Sequence, residues 1–173
     1  ALENDRYDAV TIAAVADDEE TLRMLLALGA SAKLVTSRYD GTALIAAAHL
    51  GHAGVVKQLI AAGAPLDHVN NLHWTALIEA VVLGDGGARH QAVVLALLAA
   101  GANVNQQTEY GWTPLLPAVN NRNYRVAQLL IEAGADVNLA NKGGWTPLYL
   151  ATDNRNIEGG DYLPAYVHLE NMG

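Results

Sequence analysis

Apolar residues recur along this chain in short helical blocks, each closed by a glycine. "VVKQLIAAG", "VLALLAAG" and "VAQLLIEAG" carry the 3.6-residue spacing of an amphipathic helix and end where a left-handed C-cap is expected. A second kind of block precedes each of them and opens on a threonine. "YGWTPLLPAVNN" from Tyr110 and "GGWTPLYLATDN" from Gly143 repeat one template, and "HWTALIEAVVL" from His73 is a looser copy. Counted from that threonine, positions two, five and six share one helical face. They are Leu44, Ala47 and Ala48; Leu77, Ala80 and Val81; Leu115, Ala118 and Val119; Leu148, Ala151 and Thr152. All but one are apolar, so this stripe is read as core, with alanines that let neighbouring units approach closely.

Two markers advance together. Thr42, Thr75, Thr113 and Thr146 are separated by 33, 38 and 33 residues, and Gly29, Gly63, Gly101 and Gly134 by 34, 38 and 33. Asp8 opens a first unit by the same count, and Gly173 closes a fifth. Each unit reads as helix, turn, helix and extended loop. Asp8 and the threonines are placed as N-caps, whose side-chain oxygens accept from first-turn amides. Pro114 and Pro147 follow at the first helical position, where a missing N–H costs nothing. Pro117, at the fourth, removes the amide that would bond to Thr113.

This register resembles the ankyrin repeat, with its period of about 33 residues and T-P-L-H-x-A signature. "GADVN" at 134–138 fits the loop motif of that family. Ile45, Ile78, Leu116 and Tyr149 stand where the family has histidine, and its glycine two before threonine is present only as Gly111 and Gly144. The resemblance implies an all-α solenoid of stacked helix-turn-helix units joined by β-hairpin-like loops. It covers roughly residues 7–173 and implies one domain over 1–173, with units at about 7–36, 37–69, 70–107, 108–140 and 141–173. The stretch "LGDGGARHQ" at 83–91 then becomes an insertion between the helices of the third unit, and a similar lengthening follows Asn154 in the fifth. Glu170 and His168 give the last unit the polar character of an array's end.

The family's binding surface is its concave face and hairpin tips, and the resemblance carries partner contact onto matching positions. On the helices these are four, seven and eight after the cap. They include Ile12 and Val15, then His49 and Leu50, Glu79, Val82 and Leu83, Pro117, Asn120 and Asn121, and Leu150, Asp153 and Asn154. On the hairpins they are Arg38 and Tyr39, Asn71 and Leu72, Glu109 and Tyr110, and Lys142 and Gly143. Trp74, Trp112 and Trp145 are the chain's three tryptophans, all one residue before the cap. Equal registers in stacked units predict a ladder of indoles along one rim, the residue type that anchors interfaces.

Composition narrows the function. Of 173 residues 51% are hydrophobic and 16% charged, which favours a folded chain. Ten Lys and Arg against eighteen Asp and Glu give a formal charge of −8 with no basic run, so nucleic acid is not an expected partner. The absence of cysteine removes disulfides, thiolate catalysis and cysteine metal sites. No apolar stretch reaches the roughly 18–20 residues of a membrane span, so a soluble chain is expected, cytoplasmic or extracytoplasmic after signal removal. It begins at Ala1, so an upstream segment is expected to have been removed or left out.

No catalytic constellation stands out. The two serines, Ser31 and Ser37, lie outside any nucleophile elbow. "LGDGGARHQ" lacks the order and the lysine of a phosphate loop. His49 and His52 make a poor metal pair, and Asp153, Glu158 and Asp161 read as loop acids. The expectation is a non-catalytic protein-binding module without cofactor or metal. Its partner presents an apolar segment to the first three units and polar or basic groups toward Asp153. Self-association, a spacer role and an engineered ankyrin-based binder are the alternatives.

Overall fold

The computed structural model describes residues 7–37 and 39–156, the last three by their backbone alone. Arg38, the side chain of Asn154 and everything expected after Asn156 lie outside the described residues. These include the second helix and lengthening of the fifth unit, Glu158, Asp161, His168, Glu170 and the closing Gly173.

Among the described residues nine helices follow one another. They are α1 (Ala9–Val15), α2 (Glu19–Ala27), α3 (Ala43–Leu50), α4 (Ala53–Ala61), α5 (Ala76–Val82), α6 (Ala88–Ala99), α7 (Leu115–Asn120), α8 (Tyr124–Glu132) and α9 (Pro147–Asn156). Successive helices pair, and the pairs stack. Helices α1, α3, α5, α7 and α9 pack in one row, and α2, α4, α6 and α8 in a second behind it. No strand forms among the described residues; one antiparallel bridge joins Val35 to Thr42. The architecture is an all-α solenoid. None of its described helices is long and apolar enough to cross a membrane.

Local chemistry starts the helices where the register predicts. Asp8 Oδ1 accepts from the Thr11 amide at 3.0 Å, and the hydroxyls of Thr42 and Thr75 accept from Ile45 and Ile78, each at 3.3 Å. Thr146 accepts from Tyr149 at 3.2 Å. Thr113 is a correction: its hydroxyl caps nothing and is buried without a partner. Pro117 supplies no amide to the Thr113 carbonyl, which accepts instead from Leu116 at 3.2 Å in a tighter turn.

The expected core stripe is buried in α3, α5 and α7. Ala47, Ala48 and Ala118 are fully enclosed, which permits close stacking of the inner row. In α9 the stripe is overturned. Leu148 is 72% exposed and Ala151 and Thr152 face solvent, whereas Leu150 is 2% exposed. This helix packs back on α7, and Leu150 is the side chain buried there.

The hairpins share one backbone device. Two residues before each threonine, φ is positive at Gly111 and Gly144 and equally at Asp40 and His73. The hairpins that lack the glycine therefore adopt the same turn, at the steric expense of a side chain in the left-handed region.

Candidate interaction groove

Each hairpin is closed by a polar side chain five residues before the threonine. Ser37 Oγ accepts from the amides of Tyr39 and Gly41, and Asn70 Oδ1 from those of Leu72 and Trp74. Thr108 accepts from Trp112, and Asn141 from Gly143 and Trp145. Neighbouring hairpins are also tied together: the Asn71 amide donates to the Tyr39 carbonyl at 2.9 Å, and Lys142 to Tyr110 at 3.0 Å. Helical spacing does not mark these closing residues as neighbours of a site. Their signal is a polar Ser, Asn or Thr at one fixed offset from the cap.

Across α1, α3 and α5 the first two of these hairpins overhang a groove of about 490 Å³. Among the sequence-predicted residues it gathers Val15, Tyr39, His49, Leu50, Leu72, Trp74, Glu79 and Leu83. Tyr39, Leu50, Leu72 and Leu83 expose apolar surface, and Trp74 is half-buried. Tyr7 and Asn70, which sequence reasoning did not single out, complete the wall.

Glu79 lies at the floor, only 5% exposed. Its expected place on an open face is corrected by its partners. Asn70 Nδ2 donates to Oε1 at 2.8 Å, and His49 Nδ1 lies 3.1 Å from Oε2. An enclosed carboxylate needs such donors to offset the loss of water. The Glu79 bond raises the pKa of His49 above its ordinary value, working against the burial that lowers it. His49 and His52 turn apart, since the His52 ring donates to the Ala14 carbonyl at 2.9 Å.

The third-pair insertion braces the groove from behind. His90 Nε2 donates to the His49 carbonyl at 3.0 Å, its Nδ1 lies 3.2 Å from Asp85 Oδ1, and Arg89 donates to the Leu50 carbonyl at 3.4 Å. The Gly87 amide and then His90 hold Asp85 below the usual carboxylate range. "LGDGGARHQ" therefore packs on the end of α3.

No exposed row of three indoles forms. Trp112 is 2% exposed and belongs to the core, with its Nε1 unpaired. Trp145 is half-buried and tilts against Tyr149 at a ring separation of 6.1 Å. Val82 is likewise buried. Pro117 is enclosed and Leu150 packs inward, which corrects their expected place on the open face. Asn71, Glu109, Lys142, Gly143 and Asp153 are exposed, and Tyr110, Asn120 and Asn121 half-buried, all apart from the groove's lining.

Comparison with known proteins agrees with this architecture. The family model "Ankyrin repeats (3 copies)" matches residues 10–108 and 87–169. A putative ankyrin repeat protein, YahD of Escherichia coli (strain K12), is 40% identical over 81 residues, which is 46% of this chain. The match spans 40% of that relative's length.

Proposed function

Because this chain belongs to the ankyrin-repeat family, whose members are generally protein–protein interaction modules and generally non-catalytic, we propose that it binds another protein through the groove over its first three helix pairs. One observation carries the reading. The groove is open, and its walls hold Tyr39, Leu50, Leu72 and Leu83 at the surface, where the core does not need them. Clustered exposed apolar groups beside a shaped cavity favour association.

The docking surface on this account is a groove with one indole, Trp74, beside the rings of Tyr7 and Tyr39, in place of a row of three indoles. Selection of displayed peptides against the chain tests it. Binding should be lost in Leu50→Arg and Leu83→Arg and kept in Leu28→Arg, a highly exposed position at the end of α2 in the outer row. Equal loss at all three positions, or no loss at the groove, refutes the assignment. Self-association draws on Met24, Leu28, Leu95 and Ile131, exposed on the outer helices and their ends. A constant monomer mass over a concentration series by light scattering sets it aside.

A further inference from the structure

We propose that the groove recognises an arginine set among apolar side chains of a partner segment, with Glu79 as the receiving carboxylate and His49 as the exchangeable group above it. This rests on the groove reading of the preceding subsection and names the chemistry of what enters.

Three observations converge. Among the described residues the lining contains no lysine and no arginine, yet its floor holds a carboxylate. The two oxygens of that carboxylate are held unequally. Oε1 is bound by Asn70, itself buried and tied to the hairpin backbone, whereas Oε2 is bound by His49, whose side chain is 48% exposed. One partner is built in; the other can swing out. A carboxylate accepts from about four directions, so displacement of His49 leaves Oε2 ready for a guanidinium. Arginine suits the place because its charged fork matches a carboxylate and its stem packs along apolar walls. The chain's net charge of −8 favours approach of a basic segment.

The exchange has a direction in pH. Protonated His49 neutralises Glu79 and repels an incoming cation; neutral His49 does neither. Among the described residues the only ionisable side chain bonded to the His49 ring is Glu79, from α5. From α6, His90 and Arg89 bond the carbonyls of His49 and Leu50, and Asp85 pairs with His90. Helix α1 has no ionisable side chain between Ala9 and Val15, and on α4 His52 turns to Ala14 while Lys57 is exposed. Arginine binding therefore expels a proton from His49 and strengthens as pH rises, by up to about tenfold per unit while His49 remains charged.

The test uses the whole chain and an array of synthetic peptides with mixed leucine, valine and serine flanks. The central residue is arginine, citrulline or norleucine. Arginine peptides should bind at least about tenfold more tightly than citrulline ones, the scale of one charge-assisted hydrogen bond. Glu79→Gln should erase that preference. Affinity for arginine peptides should rise from about pH 5.5 to about pH 8.5, and His49→Gln should flatten the rise. Should Glu79→Gln lose its melting transition, calorimetry of the wild-type protein in two buffers of different ionisation enthalpy decides. Proton release on binding supports the exchange, and none overturns it. Arginine and citrulline peptides binding alike, or a preference that survives Glu79→Gln, overturns the inference and leaves the groove standing. If no peptide binds, or binding survives Leu50→Arg, the groove reading falls and this inference falls with it.

Discussion

The amide of Asn70 donates to the buried carboxylate of Glu79 at 2.8 Å, joining a hairpin to the helix that follows it. The same template slots hold Asn141 and Leu150 in the fifth repeat, and there the amide nitrogen is buried without a partner. Asn70→Ser and Asn141→Ser should therefore diverge. Both variants keep an oxygen for the hairpin amides, as Ser37 shows. Asn70→Ser also strips a donor from an enclosed carboxylate and should cost about 2–3 kcal/mol. Asn141→Ser removes an orphaned donor and should stay within about 0.5 kcal/mol of wild type. Denaturant melts of the two single variants measure the contrast, and equal losses would show that the Glu79 bond contributes nothing.

Stability should also follow the charge on His49. Its pKa is raised in the folded protein, chiefly by the bond to Glu79, so the folded state holds the proton more tightly than the unfolded chain. The contribution is fully present below the ordinary histidine value near 6.5 and disappears as pH rises through the folded value. With the ring half-exposed, it amounts to less than about 1 kcal/mol. Midpoints of urea melts from about pH 5.5 to about pH 8.5 should fall in wild type and lose that component in His49→Gln.

Much of the fold could be read from the register of threonines and glycines, because helix starts and stops are local chemistry. Asp8, Thr42, Thr75 and Thr146 cap their helices as their sequence context requires. The groove was less legible because its geometry depends on contacts between elements. Glu79 falls on the open face by helical spacing, yet Asn70, nine residues earlier, bonds its carboxylate at the groove floor. Trp112 and Trp145 sit in nearly identical sequence, "GWTPL", but the first is enclosed in the core and the second is half-buried in the last described unit. Repetition in sequence fixes the register of a side chain, while its neighbours decide its exposure.

Trp112 should accordingly behave as a core residue. Trp112→Ala should cost about 3–5 kcal/mol by leaving a large cavity. Trp112→Phe removes the unpaired Nε1 donor while keeping a ring, so it should cost far less, about 1–2 kcal/mol. Thermal unfolding of the two variants separates the cases. A Trp112→Ala protein as stable as wild type, with binding reduced, would restore this indole to the interface.

His73 gives the sharpest test of the hairpin backbone. Its φ is 58°, while Gly111 and Gly144 hold the equivalent turn at 80° and 81°. A side chain pays a steric cost in that region that glycine avoids, but glycine loses more freedom on folding. The balance favours His73→Gly by about 0.5–1 kcal/mol, a rise in Tm of about 2 °C for a chain of this size. The reverse changes distinguish strain from crowding. A Cβ at Gly144 would meet nothing within 4 Å, whereas one at Gly111 would lie 3.0 Å from the Lys142 backbone nitrogen. That nitrogen donates to the Tyr110 carbonyl, so it cannot retreat without loosening the tie between two hairpins. Gly144→Ala should cost about 1 kcal/mol from conformation alone, and Gly111→Ala should cost more. If the two alanine variants melt together, the contact between these hairpins yields freely and the turn alone sets their stability.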